Sequence, residues 1–239
     1  MRKLSRTKTG NAAVFATAGV YTSPNFMEGL LGKAVELLHS HTRLRVVRSG
    51  LLFPYGDWST GLLRQIRQVR RDMSLHGDTY ARSIGGRSLT EAFGDLSGID
   101  VLLLLGHSGG GMAAVHAAAP LGSLPPGPDV RIVQIGCPRF AIAPELRMRV
   151  HYLYAVGRAG GPAKDPICRI GTWGGWERSA HGIPRWNPLK FAPGERTPVP
   201  IIGGHADYFR DRAPFRNEAG RTNLDIVSEA LLAGLVEDG

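Results

Sequence analysis

Apolar positions along the chain change period repeatedly, from short continuous runs that read as strands to spaced patterns that read as helices. Residues 13–19 form a first buried-strand candidate. Ser23-Pro24 then offers an N-cap followed by a proline suited to a first helical turn. Phe26, Leu30, Leu31, Ala34, Val35 and Leu38 follow at helical spacing. Residues 43–48 read as a second strand, closed by the turn-rich segment 52–58. Leu62, Leu63, Ile66, Val69 and Met73 mark the next helix, and residues 83–98 a loop with a short helix. The clearest strand is Val101–Leu105, which leads through Gly106 into a helix of small residues reaching Ala119. A proline-rich loop over 120–128, a strand over 130–135, a short helix near 144–148 and a strand over 151–156 come next. Residues 157–197 carry many Gly, Pro and Trp with little periodicity. A last strand is expected at 198–202, and a closing helix over 224–236.

Strands alternating with helices predict an α/β fold, a mainly parallel sheet with helices on both faces. No internal repeat or long polar linker divides the chain, so residues 11–239 read as one domain behind a frayed basic tail, residues 1–10. The 239 residues are 43% hydrophobic and 21% charged, a globular composition rather than a disordered one. The run Val101–Leu105 is far too short to span a bilayer. Although the start is basic and then apolar, the apolar stretch contains Thr17 and Gly19 and runs into a turn, unlike a secretory signal. Two cysteines exclude a disulfide scaffold, and together these features favour a cytoplasmic protein.

Chemistry concentrates at Gly106-His107-Ser108-Gly109-Gly110, which fits G-x-S-x-G. The pentapeptide alone is a weak signal, but it is entered by an apolar strand and left by an alanine-rich helix. That context makes it a nucleophile elbow, with Ser108 held on a tight turn and the Gly109 amide aimed at a developing oxyanion. A phosphate loop would need a Lys after the glycines, and none follows.

A serine hydroxyl needs a base, and the base a carboxylate that fixes its tautomer. Strand-to-helix elbows of this kind take their partners in the order Ser, Asp or Glu, His. His116 lies two turns along the elbow helix, and His151 starts a strand at the wrong edge. His205 follows the last strand through Gly203-Gly204 and is the preferred base, with His181 as the alternative. Asp165, in a turn after the strand over 151–156, is the preferred acid. Asp207 and Asp211 lie too near His205 in sequence to orient it.

With these residues placed, the chain resembles the α/β-hydrolase superfamily, most of all its class 3 lipase branch. The likeness rests on Gly106–Gly110, on Ile135-Gly-Cys-Pro-Arg139, on Asp165-Pro-Ile167, and on His205-Ala-Asp-Tyr-Phe209. These segments occur in family order over about residues 100–210. The family usually carries Leu at the position of Gly109 and Ser at that of Cys137, and no long lid helix is evident. The resemblance implies a minimal α/β-hydrolase fold, a Ser108–His205–Asp165 triad and hydrolysis of small-molecule carboxylic esters without a metal or other cofactor. The second oxyanion donor is then expected from the loop after the first strand, at Val20 or, alternatively, Tyr21.

Trp173, Trp176 and Trp186 lie between the proposed acid and base, either lining a substrate pocket with Tyr21 or plugging a long loop. Cys137 and Cys168 follow neighbouring strands and read as buried thiols rather than a redox pair. No Cys/His pair has zinc-ligand spacing. The charge of +9 invites a nucleic-acid partner, but no reading module accompanies it. Its concentrated part, Arg64, Arg67, Arg70 and Arg71, reads as a solvated helix face, with weak contact to an anionic surface as the sharper alternative. An acyltransferase on the same fold and a non-catalytic module with a basic face are the competing functional readings. The sequence leaves the oligomeric state open.

Overall fold

The computed structural model describes residues 3–121, 127–157 and 165–237. Most of the proline-rich loop, and the stretch just before Asp165, lie outside them. Six strands form one parallel sheet in the order β2-β1-β3-β4-β5-β8. They are β1 (Thr9–Thr17), β2 (Arg43–Leu52), β3 (Val101–His107), β4 (Asp129–Ile135), β5 (Val150–Ala155) and β8 (Glu195–Val199). β6 (Gly175–Arg178) and β7 (Pro184–Asn187) make a separate antiparallel hairpin.

The leucine run forms β3 because a central parallel strand is covered on both faces and needs apolar residues at every position. All seven residues of β3 are buried, and β1 and β4 flank it in register, Ala12 beside Val101 and Leu103 beside Arg131. One face of the sheet packs on α1 (Glu28–His41) and α6 (Asn223–Leu235), through Leu30, Ala34, Leu38, Val227 and Leu231. The other carries α3 (Ile84–Phe93) and α4 (Gly109–Leu121), with Leu89, Phe93, Met112 and Val115 in its core. α2 (Leu62–Met73) and α5 (Pro144–Arg147) lie on the same side. No helix among the described residues is long and apolar enough to cross a membrane.

The chain runs from β1 out to β2 on one side and returns to β3 on the other. The carboxyl ends of β1 and β3 therefore diverge into a crevice, the topological switch point where open α/β sheets place their ligands.

Several local expectations change. The basic tail is tied down: Leu4 is buried, donates its N–H to Leu235 O at 2.7 Å and accepts from Glu237 N at 2.9 Å. β1 accordingly starts at Thr9. Ser23-Pro24 does not start α1, which begins at Glu28 behind the uncapped Met27. Phe26 instead packs on His107 and Phe209, with ring centroids 5.1 and 5.2 Å away, which holds the chain in a turn. The last strand is β8, three residues earlier than expected.

The largest departure is α2, whose first apolar positions point outward while Val69 and Met73 stay partly buried against the core. Leu63 is 71% exposed and Ile66 44%, whereas Gln65 and Asp72 are fully buried. Hydrogen bonding explains the inversion. Asp72 accepts from Tyr55 OH, Ser83 Oγ and the amides of Ile84 and Gly85 at 2.7–3.0 Å, satisfying the first turn of α3.

Candidate active site

Ser108 links β3 to α4 with φ of +56°, a left-handed backbone that non-glycine residues adopt only under constraint. The constraint is steric. α4 folds back so tightly that a Cβ on Gly106 would lie 2.1 Å from Gly111 Cα. From the other side the β1–α1 loop presses on the serine, and a Cβ on Gly19 would lie 2.6 Å from Ser108 Cβ. Ser108 N–H donates to Ile135 O at 3.1 Å, fixing the turn to the end of β4. Ser108 thus stands at the crevice with the N-terminus of α4 directly behind it.

The backbone amides of Gly109 and Val20, beside Ser108, make no hydrogen bond among the described residues. The neighbouring Tyr21 amide is engaged, donating to Gln65 Oε1 at 2.6 Å. Gln65 is itself held, its Nε2 donating to Asp57 O at 2.6 Å and Thr60 O at 3.2 Å. The resemblance leaves two donors open, Val20 and Tyr21; both residues line the cleft, and the Tyr21 amide already has its acceptor. Gln65 was not anticipated in this role, because its place on an apolar-periodic helix gives no hint of burial.

The acid and base lie together. His205 sits on a 3₁₀ turn after β8, and its Nδ1 is 2.9 Å from Asp165 Oδ2. A carboxylate only accepts, so Nδ1 carries the proton and Nε2 of the neutral ring is left as the basic nitrogen. Asp165 is fully buried; Oδ1 accepts from Ile167 N at 2.8 Å and Oδ2 also from Tyr208 OH at 2.9 Å. Burial pushes this carboxyl up, but the bonds from His205, Tyr208 and Ile167 outweigh it and hold the group below its ordinary value. The Cys168 thiol adds a weak fourth donor at 3.4 Å.

Tyr208 and His107, within the quoted His205–Phe209 and Gly106–Gly110 segments but given no role there, contact the candidate acid and base. The Tyr208 hydroxyl donates to Asp165 and accepts from Ala155 N at 2.9 Å, bracing the acid against the end of β5. His107 stacks on His205 with centroids 4.6 Å apart and donates from Nε2 to His205 O at 3.1 Å. Burial, and the adjacent His205, push His107 down to about 3, so it stays neutral beside the base. A histidine at the buried end of an apolar strand is the one signal that pointed to it.

Ser108 and His205 line one cleft of about 360 Å³, with Val20, Tyr21, Phe26 and Ile167. No hydrogen bond joins the Ser108 hydroxyl to His205 in this structure; such contacts tighten around substrate. His181, the alternative base, lies exposed in the turn between β6 and β7, away from this cleft. None of the three loop tryptophans lines it. Trp173 is buried against Tyr152, while Trp176 and Trp186 pair on the hairpin, 64% and 46% exposed. Trp173 packs on β5 instead, and the hairpin holds the other two outside the residues that line the cleft. Cys137 and Cys168 are both free, buried thiols in one apolar cluster.

His116, set aside as base, is buried in a separate network. Its Nδ1 meets Ser83 Oγ at 2.9 Å, and that hydroxyl donates to Asp72. Compared with known proteins, the chain matches no family model and no curated protein.

Proposed function

We propose that this chain is a serine hydrolase that cleaves small carboxylic esters through an acyl-enzyme. The observation that carries the reading is the His205 imidazole, bonded through Nδ1 to a buried, multiply anchored Asp165, in one cleft with a serine on a strained elbow. Ser108 Oγ attacks the ester carbonyl as His205 Nε2 takes its proton. Asp165 holds the tautomer and stabilises the imidazolium without taking the proton itself. The amides of Gly109 and Val20 donate to the oxyanion, and losing one such donor typically costs about 3–4 kcal/mol of transition-state stabilisation. His205 then protonates the departing alcohol, and water, activated by the same nitrogen, releases the acid and restores Ser108.

A fluorophosphonate probe tests the reading. It should label the wild-type chain on Ser108 and leave folded Ser108→Ala unlabelled. No labelling of the wild type, or equal labelling of the variant, overturns it. With p-nitrophenyl esters of rising acyl length, a cleft of about 360 Å³ predicts preference for acetyl or butyryl over long chains.

A further inference from the structure

A second cavity, of about 470 Å³, opens over β5 and β8 and shares no lining residue with the Ser108 cleft. Side chains two apart on a strand share a face, so Tyr152 and Tyr154 both form its floor. Arg196 pairs in register with Tyr152 across the β5–β8 ladder. The loop after β5 brings in Trp173, edge-on to Tyr152 with centroids 4.9 Å apart.

Two guanidinium groups lie over that indole, Arg139 at 4.9 Å from the ring centroid and Arg196 at 5.9 Å. Neither has a carboxylate partner among the described residues, and no acidic side chain lines the cavity. Two cations held over one ring repel each other, and cation–π attraction leaves their in-plane N–H donors unsatisfied.

Two buried donors make the point specific. Arg139 Nε and Trp173 Nε1 are both removed from solvent and have no hydrogen-bond acceptor, and Trp173 is only 5% exposed. Both belong to residues that line the cavity, and buried donors are ordinarily paired, so this wall is short of acceptors. Pro188, Leu189 and the tyrosine rings supply an apolar surface beside them.

We propose that this cavity is a binding site for a small organic anion, a carboxylate head on a flat apolar body. The head accepts from the Arg139 and Arg196 guanidinium groups beside the Trp173 indole, and the body lies against Tyr154 and Leu189. A guanidinium fork suits a planar carboxylate, and the aromatic walls and volume suit a ring behind it. The proposal stands on this cavity alone and does not depend on ester hydrolysis.

Benzoate is the probe, titrated into the full chain by calorimetry and by NMR of the indole N–H resonances, with Trp173→Phe assigning that of Trp173. The expected result is one benzoate per chain and a shift of the Trp173 resonance. Arg139→Gln and Arg196→Gln should each weaken binding roughly 10-fold or more, the loss expected for a charge-assisted hydrogen bond. Neutral benzamide should bind at least about tenfold more weakly for the same reason. Arg196 is exposed, so its variant keeps the test open if Arg139→Gln fails to fold. Absence of benzoate binding, equal binding of benzamide, binding indifferent to Arg196→Gln, or Arg-dependent binding of inorganic phosphate alone would each overturn the proposal.

Discussion

Lowering the pH from 7 to 5 protonates histidines in the unfolded chain while three of them stay neutral in the fold, and that difference removes stability. Burial pushes His107 down to about 3, and His116 and His151 to about 4. His116 is sandwiched between Tyr80 and Phe140, and His151 lies under Gly234, where a Cβ would sit 2.1 Å from its Nδ1. The folded pKa lies below the unfolded one in each case, so the unfolded state binds more protons as acid is added. Stability is therefore full above about pH 6.5 and falls as the pH drops toward the folded values. At pH 5 each histidine removes about 2 kcal/mol, set almost wholly by the unfolded pKa once the folded one lies below about 4.5. Three together remove about 6 kcal/mol, comparable to the whole stability of a domain, roughly 5–15 kcal/mol. Urea unfolding followed by circular dichroism at pH 7 and pH 5, at constant ionic strength, measures the loss. The depressed Asp165 carboxyl contributes in the same direction but below the ordinary carboxylate range, so it stays outside this window. His116→Gln should shrink the loss by about 2 kcal/mol. A total change under about 2 kcal/mol, or an unchanged loss in His116→Gln, would refute the reasoning.

Two further outcomes follow from the site. Gly19→Ala puts a methyl group where Ser108 Cβ now stands 2.6 Å away, so the serine must move. Ester turnover and probe labelling should fall about 100-fold, the scale of a 1 Å misplacement, while circular dichroism shows the fold retained. Tyr208→Phe orphans the Ala155 N–H and takes a donor from Asp165. It should destabilise the protein by about 1–3 kcal/mol at neutral pH in urea unfolding, and a loss below about 0.5 kcal/mol would contradict the bracing role.

Reading the chain as a sequence reached furthest where one physical requirement acted alone. A strand covered on both faces must be apolar throughout, so β3 declared itself in Val101–Leu105. An elbow needs small neighbours, so the glycines around Ser108 marked its place, and the order of the chain singled out Asp165 and His205 as residues to bring together. The apolar period of α2 located the helix but not the residues it buries most deeply. Those are set by amides elsewhere, of Tyr21 and of the first turn of α3, from which Gln65 and Asp72 accept.

The tertiary structure alone decided which donors remained open around Ser108, since that depends on Gln65 engaging the Tyr21 amide across 44 residues. It also decided between the two roles open to the loop tryptophans: Trp173 plugs against Tyr152 and gathers Arg139 and Arg196, and none of the three lines the cleft. Periodicity records the surroundings of a single element. Which elements meet, and so which hydrogen bonds and charges face each other, is fixed only when the sheet order is known. The sequence by itself determined the α/β layering and the residues with chemical potential; the packing of β1 against β3, and the meeting of Trp173, Arg139 and Arg196 beside β5 and β8, determined what those residues face.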